Sequence, residues 1–204
     1  MTDNEAVTGI ILAGGMSTRF GSNKALSQFD GERLIYRLCK TISAVTDRIT
    51  LITNTPEEYA FLKLPSTRDL VPRCGPIGGI YTALKMLDTP LCLCVACDMP
   101  FIKADFLKYM IERSPGFDIV VPMNNRREEP LCALYRDSCT DAVEKQIQSG
   151  KHKITEFYDK VRVLRLEPEN SGFPDPDMFF NINSRIDYKE GIRRLEKERR
   201  LSEQ

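Results

Sequence analysis

The chain has 204 residues with 29 basic and 29 acidic side chains, so its formal net charge is zero. A chain of this length can bury a hydrophobic core without disulfides or metals, and its hydrophobic fraction of 42% argues against intrinsic disorder. Charge neutrality argues against a protein held on nucleic acid or on an anionic membrane by bulk charge.

No apolar run reaches the length of about 20 residues that spans a bilayer, and the polar N-terminus does not resemble a secretory signal. The seven cysteines are odd in number, and several lie in apolar stretches such as Leu91-Cys92-Leu93-Cys94. This pattern is typical of reduced, buried thiols rather than of a disulfide framework. We therefore expect a cytoplasmic protein with no nucleic-acid or membrane partner.

Hydrophobic periodicity and turn residues predict alternating strands and helices. In chain order the predicted elements are a strand over Val7–Leu12, a helix over 31–45, a strand over Ile49–Ile52, a short helix over 57–62, a helix over 75–87, a strand over Leu91–Ala96, a helix over 104–113, strands over 119–122 and 131–135, a helix over Thr140–Gln148, a strand over 161–166 and a last helix, capped by Ser184, to 198.

This order of elements predicts an α/β fold with right-handed crossovers and a mostly parallel sheet covered by helices on both faces. The sequence shows no internal repeat, low-complexity run or linker, so we expect one domain over residues 1–204. Ligands of such sheets bind beyond the carboxyl ends of the strands. The residues that follow each strand are therefore the candidate site residues.

A glycine-rich loop follows the first predicted strand and reads Ala13-Gly14-Gly15-Met16-Ser17-Thr18-Arg19-Phe20-Gly21-Ser22-Asn23-Lys24. Its glycines allow close approach of the backbone, and successive N–H groups can bind an anion. Arg19 and Lys24 add two positive charges. The loop is neither a Walker A nor a GxGxxG motif, yet its composition predicts phosphate binding. The alternative is a surface turn with incidental basic residues.

Asp98 follows the strand Leu91–Ala96 and precedes Pro100, which places its carboxylate at the same edge of the sheet. Carboxylate oxygens suit Mg²⁺, which keeps waters and phosphate oxygens as its other ligands. Taken alone, Asp98 would as often be a helix cap or a turn residue. Together with the glycine-rich loop, it becomes a candidate Mg²⁺ ligand.

The run Leu12-Ala13-Gly14-Gly15-x-Ser17-x-Arg19-Phe20-Gly21-x-x-Lys24 resembles the signature of nucleotidyltransferases with the Rossmann-like glycosyltransferase-A fold. Four further segments fit in order, namely Asp69, 75–79, 97–101 and 181–183. Within that superfamily the chain is most similar to the molybdenum cofactor guanylyltransferases. The resemblance covers almost the whole chain and implies a three-layer α/β/α domain.

The resemblance implies roles for individual residues. The nucleotide-binding positions would be Leu12, Ala13, Gly14, Gly15, Lys24, Asn54, Asp69 and Asp98. The chain has Gly14-Gly15 where pyrimidine-specific relatives carry Ala-Gly, and the added glycine could let the backbone approach a purine. Among the catalytic residues, Asp98 would hold Mg²⁺, Lys24 would stabilise charge at the α-phosphate, and Arg19 would hold the leaving pyrophosphate.

On the acceptor side, the resemblance makes Asn181 and Asn183 neighbours of the metal or the pterin, and Asn124 follows a strand end as a possible pterin contact. One segment departs from the family pattern. A polar or basic residue often precedes a proline there, whereas this chain has Glu128-Glu129-Pro130. The simplest interpretation of residues 126–129 is a solvated loop.

The implied reaction is transfer of GMP from GTP to the terminal phosphate of molybdopterin, with release of pyrophosphate. GTP, molybdopterin, other cofactor-assembly proteins and molybdoenzymes would be its partners. Three alternatives stay open: a molybdopterin cytidylyltransferase, a small sugar-phosphate nucleotidyltransferase, and a GTP- and molybdopterin-binding adaptor without turnover. The nucleotide preference and the release of pyrophosphate distinguish them.

Two further patterns have plain interpretations. Cys92, Cys94 and Cys97 form C-x-C-x-x-C without a second cluster, which is weak evidence for zinc, so we expect them to pack in the core. His152 is the only histidine and lies in a basic turn. We expect it on the surface.

Overall fold

The computed structural model describes residues 5–14 and 23–202, so Gly15 and Arg19 lie outside the described residues. The strands are β1 (Val7–Leu12), β2 (Gln28–Phe29), β3 (Glu32–Arg33), β4 (Ile49–Ile52), β5 (Ser66–Thr67), β6 (Leu91–Ala96), β7 (Ile119–Asn124), β8 (Arg127–Glu128), β9 (Cys132–Arg136) and β10 (Val163–Leu166). The α-helices are α1 (Leu34–Ser43), α2 (Pro76–Met86), α3 (Ala104–Glu112), α4 (Thr140–Gln148) and α5 (Arg185–Ser202). Short 3-10 helices cover Lys24–Leu26, Pro56–Leu62, Asp137–Cys139, Ile154–Lys160 and Glu169–Ser171.

Eight strands form one mixed sheet in the order β10–β7–β9–β6–β1–β4–β5, with β8 paired to β7. The neighbours β6, β1, β4 and β5 are parallel, as are β7 and β10, which confirms the predicted mostly parallel sheet. β9 runs antiparallel to both of its neighbours. The connection from β7 to β9 is a short hairpin, and a parallel return would need a crossover of about a dozen residues or more.

The reversal of β9 has a consequence for the edge of the sheet. β6 and β7 run in the same direction because both are antiparallel to β9. The start of β9 therefore lies at the edge where β6 and β7 end. Residues 129–131, which precede β9, join the carboxyl edge where a ligand of this fold class is expected.

Helices cover both faces of the sheet. α1 and α3 pack on one face and α2 and α4 on the other. Along β6, Leu91, Leu93 and Val95 belong to the first core, whereas Cys92 and Cys94 belong to the second. Strand residues alternate between faces. The predicted core role of these two cysteines is confirmed, since both are at most 1% exposed.

Three predicted helices differ from the structure, and the last of them, predicted to end at 198, continues to Ser202. The helix predicted over 31–45 begins at Leu34, because the preceding residues form a β2–β3 hairpin. Asp30 and Gly31 have φ angles of 56° and 80° at its turn, and Asp-Gly is a strong signal for such a two-residue turn. The short helix predicted over 57–62 is a 3-10 helix over Pro56–Leu62.

The C-terminal helix is tied to the carboxyl edge of the sheet. Ser184 Oγ accepts a hydrogen bond from the N–H of Asp187 at 3.2 Å, which confirms Ser184 as the predicted cap. Leu195 of α5 packs in a third core with Phe29 and Ile182. The N–H of Ile182 also donates to the carbonyl of Asp98 at 2.9 Å, so the segment before α5 lies beside the end of β6. In the described part of the chain, no helix combines the length and the apolar character that a membrane span requires.

Candidate active site

A cavity of about 140 Å³ opens at the carboxyl edge of the sheet, between the ends of β1, β4 and β6 and the start of α2. It is lined by Leu12, Gly14, Lys24, Ile52, Asp69, Gly75, Pro76, Gly79, Ala96, Cys97, Asp98 and Leu131. The structure thus brings together five of the positions predicted from the sequence, namely Leu12, Gly14, Lys24, Asp69 and Asp98.

Lys24 and Asp98 form an ion pair on the wall of this cavity. Lys24 Nζ lies 2.6 Å from Asp98 Oδ2 and 2.9 Å from Asn183 Oδ1. The side chains of Lys24 and Asp98 are only 17% and 15% exposed. Two of the three N–H donors of the ammonium group are therefore engaged. Asn183, predicted near the metal or the pterin, joins this pair from the segment before α5.

The second carboxylate oxygen of Asp98, Oδ1, is buried without a hydrogen-bond partner among the described residues. An unpaired buried polar atom costs free energy. No group of three or more His, Cys, Asp or Glu side chains able to hold a metal occurs in that part of the chain. A lone carboxylate fits Mg²⁺, which takes its other ligands from phosphate and water, and does not fit a zinc cluster around Cys97.

The other end of the cavity carries a polar pair. Asn54 Nδ2 donates to Asp69 Oδ2 at 3.1 Å. Burial raises the pKa of the Asp69 carboxyl, while the hydrogen bond from Asn54 lowers it. A Cβ added at Gly79 would lie 2.9 Å from Leu12 Cδ2 and 3.6 Å from Asp69 Oδ1. Glycine at this position therefore lets α2 begin close to β1 and leaves the Asp69 carboxylate accessible from the cavity.

At the end of β1, the backbone of Ala13 bonds to the neighbouring strand, and the residues on either side of it line the cavity. The N–H of Ala13 donates to the carbonyl of Ile52 at 2.9 Å, and its carbonyl accepts from Thr53 Oγ1 at 3.2 Å. Ala13 is itself buried. Its backbone groups thus hold the strand end in place, whereas its neighbours Leu12 and Gly14 line the cavity.

A second cavity, of about 380 Å³, lies at the same edge beyond the ends of β7 and β10. It is lined by Met123, Asn124, Asn125, Arg126, Glu167, Pro168, Glu169, Phe173, Asp175, Pro176 and Phe179. Asn124 is therefore beside a site large enough for a second small molecule. Asn181, by contrast, donates its side-chain amide to the backbone carbonyl of Phe179 at 3.2 Å.

Glu129 is a site residue that the sequence analysis missed. Its Oε1 accepts from Asn124 Nδ2 at 2.8 Å. Burial raises the pKa of the Glu129 carboxyl, and the negative charge of Asp98 raises it further. Glu128, whose side chain is 19% exposed, instead pairs with Arg165 at 2.7 Å. The interpretation of 126–129 as a solvated loop holds for the exposed Arg126 and Arg127 and is wrong for the half-buried Glu128 and Glu129.

His152 is exposed in the turn after α4, which confirms its predicted surface position. The seven cysteines are free thiols, and burial raises the pKa of the Cys97 thiol to about 12. A neutral, buried thiol is a poor metal ligand and a poor nucleophile. The chemistry of the site therefore rests on its carboxylates, its lysine and its amides.

The fold and this site define the class of the protein, which is a nucleotidyltransferase. A family model described as MobA-like NTP transferase domain matches residues 9–163. The chain is 37% identical over 182 residues to a probable molybdenum cofactor guanylyltransferase of Pelotomaculum thermopropionicum, covering 88% of this chain and 89% of that protein. It is 36% identical over 185 residues to a molybdenum cofactor guanylyltransferase of Desulfosudis oleivorans, covering 89% and 92% of the two chains.

Solved structures agree with these relatives. The molybdopterin-guanine dinucleotide biosynthesis protein A of Archaeoglobus fulgidus superposes with a TM-score of 0.80 at 26% identity, covering 93% of this chain and 99% of that one. The chain belongs to the MobA-like NTP transferase family.

Proposed function

We propose that this protein transfers GMP from GTP to the terminal phosphate of molybdopterin and releases pyrophosphate. The observation that carries the proposal is the Lys24–Asp98 pair, which lines the same cavity as Asp69 and leaves Asp98 Oδ1 without a hydrogen-bond partner among the described residues. The names of the relatives described above support guanine as the base and molybdopterin as the acceptor.

Asp69 and Asn54 give the cavity a means to select guanine. The N1–H and 2-amino groups of guanine are adjacent donors, and a carboxylate can accept from both at once. Cytosine has no such donor pair on its pairing edge. Asp69 would accept from guanine while Asn54 holds its Oδ2 in place. The backbone at Gly14 would lie against the nucleoside, where a side chain would add bulk.

The chemical step replaces one bond to phosphorus with another. An oxygen of the acceptor's terminal phosphate bonds to the α-phosphorus of GTP, and the bond to the bridging oxygen of the β-phosphate breaks. Pyrophosphate leaves with that electron pair. Attacking and leaving groups are both anionic, so no side-chain nucleophile or base is needed, and catalysis consists of positioning and charge stabilisation.

The residues of the chain would divide this work. Lys24 would place its ammonium charge at the α-phosphate, and Asp98 orients Lys24 through Oδ2. Asp98 Oδ1 would hold Mg²⁺, which when bound neutralises charge on the phosphate oxygens. Arg19, in the glycine-rich loop, would retain pyrophosphate until the step is complete.

The second cavity would receive the pterin of the acceptor, since it lies at the same edge of the sheet as the first. Asn124 lines this cavity, bonds to Glu129 and can exchange hydrogen bonds with a pterin. Asn183 would approach the phosphate end beside Lys24. We also propose that the protein contacts other cofactor-assembly proteins and molybdoenzymes, as the family resemblance implies.

Pyrophosphate release tests the proposal. The purified protein is given molybdopterin, delivered by a carrier protein, together with GTP, CTP, ATP or UTP, with and without Mg²⁺. We expect release with GTP and Mg²⁺ only. Asp98→Asn should abolish release, while Asp105→Asn, a matched change at a side chain 84% exposed, should leave it unchanged.

Other outcomes have defined meanings. CTP-selective release would keep the mechanism and overturn the choice of base. Release of pyrophosphate without Mg²⁺ would show that Asp98 does not act by holding a metal ion. Binding of GTP with no release from any nucleotide would overturn the enzyme proposal in favour of an adaptor.

A further inference from the structure

Tyr59 has a buried hydroxyl group aimed at the loop that carries Lys24. It lies in the 3-10 helix Pro56–Leu62, is 3% exposed and packs in the core beneath α1. Its hydroxyl lies 3.1 Å from Asn23 Oδ1 and 2.9 Å from Asn23 Nδ2. Burial raises the pKa of Tyr59, so the group stays a neutral hydroxyl at physiological pH.

Asn23 connects this hydroxyl to the backbone around Lys24. Its Oδ1 accepts from the N–H of Ala25 at 3.2 Å, which caps the single-turn helix Lys24–Leu26. Its Nδ2 also donates to Glu58 Oε2 at 2.7 Å. Asn23 is therefore held by two residues of the Tyr59 helix while it caps the turn on which Lys24 is mounted.

A lysine side chain is long and flexible, and its amine can occupy many positions relative to a fixed carboxylate. The Lys24 ammonium group makes short contacts with Asp98 and Asn183. Those contacts constrain the end of the side chain only. The position of its backbone depends on the capped turn, and hence on what holds Asn23.

We propose that Tyr59 is a positioning residue for Lys24, acting through Asn23 to hold the Lys24–Leu26 turn against the core. The inference rests on the proposed role of Lys24 at the α-phosphate. Tyr59 itself need not touch substrate. Small displacements of a catalytic group are expected to cost rate because the charge must meet the transition state in place.

Tyr59→Phe tests the link, because the ring keeps its packing and only the hydroxyl is lost. We expect kcat to fall about five- to tenfold, the scale of one hydrogen bond, with little change in KM for GTP. In a Lys24→Met background the same substitution should leave kcat unchanged, since Tyr59 acts through Lys24. Tyr158→Phe, which removes a buried hydroxyl bonded to Tyr135 at 2.8 Å, is the matched control and should leave kcat unchanged in both backgrounds.

Asn23→Ser provides a second variant. Serine is also a good cap but is too short to reach Tyr59. It should lower kcat at least as much as Tyr59→Phe does, because it also loses the contact with Glu58, and the double variant should be no slower than Asn23→Ser alone. Additive losses, or a loss from Tyr59→Phe that persists without Lys24, would show a general packing defect and overturn the inference.

Labelling of Lys24 by acetic anhydride, read by mass spectrometry, provides a measurement that needs no turnover. We expect Tyr59→Phe to label several-fold faster at Lys24 and at the native rate at exposed Lys108. Equal rates at Lys24 would overturn the inference. If the unmodified protein released no pyrophosphate from any nucleotide, the proposed function would fail while this labelling still decided the role of Tyr59.

Discussion

Two carboxylates at opposite edges of the sheet differ in how completely their oxygens are used. Asp118 directly precedes β7, at the edge where β6 and β7 begin, whereas Asp98 follows the end of β6. Asp118 accepts from the N–H, Nε and Nη2 of Arg162 at 2.9, 3.0 and 3.1 Å and from Ser138 Oγ at 2.7 Å. Asp98 pairs with Lys24 through one oxygen, and its other oxygen has no partner among the described residues.

This difference in hydrogen bonding indicates which carboxylate stabilises the fold and which is a candidate for ligand binding. A buried charge is tolerated when donors surround it, and it then stabilises the fold. Asp118 meets this condition, and the hydrogen bonds from Arg162 hold its pKa well below the usual range. Among the described residues, nothing pairs with the second oxygen of Asp98, at a cost in free energy that a bound ligand would recover. Buried carboxylates with an unpaired oxygen are therefore the better candidates for a site, and the variants below test this contrast.

The largest expected effect is on turnover at Asp98. Asp98→Asn keeps the size of the side chain but removes the charge that would hold Mg²⁺ and orient Lys24. We expect kcat to fall by about 10³-fold or more, with a change in melting temperature of less than about 3 °C. Steady-state pyrophosphate release and calorimetry measure the two. A large loss of stability with normal turnover would show that Asp98, like Asp118, serves the stability of the fold and not the reaction.

Lys24→Met should lower kcat by about 10²-fold, the scale of one preorganised charged donor. Methionine retains the length of the side chain, so the cavity wall keeps its shape. Lys108→Met, on the exposed face of α3, is the matched control. If Lys24→Met turned over within a factor of about three of the native rate, Lys24 would not be a catalytic residue.

Asp118→Asn should act on stability alone. It leaves the donors of Arg162 around a weaker acceptor, at a cost of about 2 kcal/mol in the free energy of unfolding. For a chain of this size that corresponds to a melting temperature lower by about 4–8 °C. The kcat of the folded variant should equal that of the native protein. A loss of turnover at temperatures below the melting transition would contradict the assignment of Asp118 to stability alone.

The smallest effect is the pH dependence of that stability difference. A carboxyl whose pKa is lowered by folding contributes stability that is fully present above its unfolded pKa, about 3.9, and is lost as the pH falls toward its folded pKa. The melting-temperature gap between the native protein and Asp118→Asn should therefore be constant from pH 7 to pH 5 and narrow below pH 4. A gap that widens on acidification would show that Asp118 is not the stabilised anion.

Local signals in the sequence were sufficient for much of the fold. The bounds of β1, β4, β6 and α4 agree with the predicted ranges, because an unbroken apolar run or a 3.6-residue period reflects burial directly. The hairpin at Asp30-Gly31 had an equally local signal that the helical period of the following residues obscured.

The sequence by itself also determined the central members of the site. Gly14, Lys24 and Asp98 could be placed together because the glycine-rich loop and Asp98 each follow a predicted strand, and parallel strands end at one edge. Asp69 was added to them by the family resemblance alone.

Tertiary structure alone decided which of these groups touch and which others join them. Glu129 reaches the site because β9 is reversed, and Asn183 reaches Lys24 across 159 positions of sequence. Tyr59 reaches Asn23 only because the core brings their segments together. Such contacts depend on side-chain packing between distant segments, which has no periodicity or composition that a linear sequence can display.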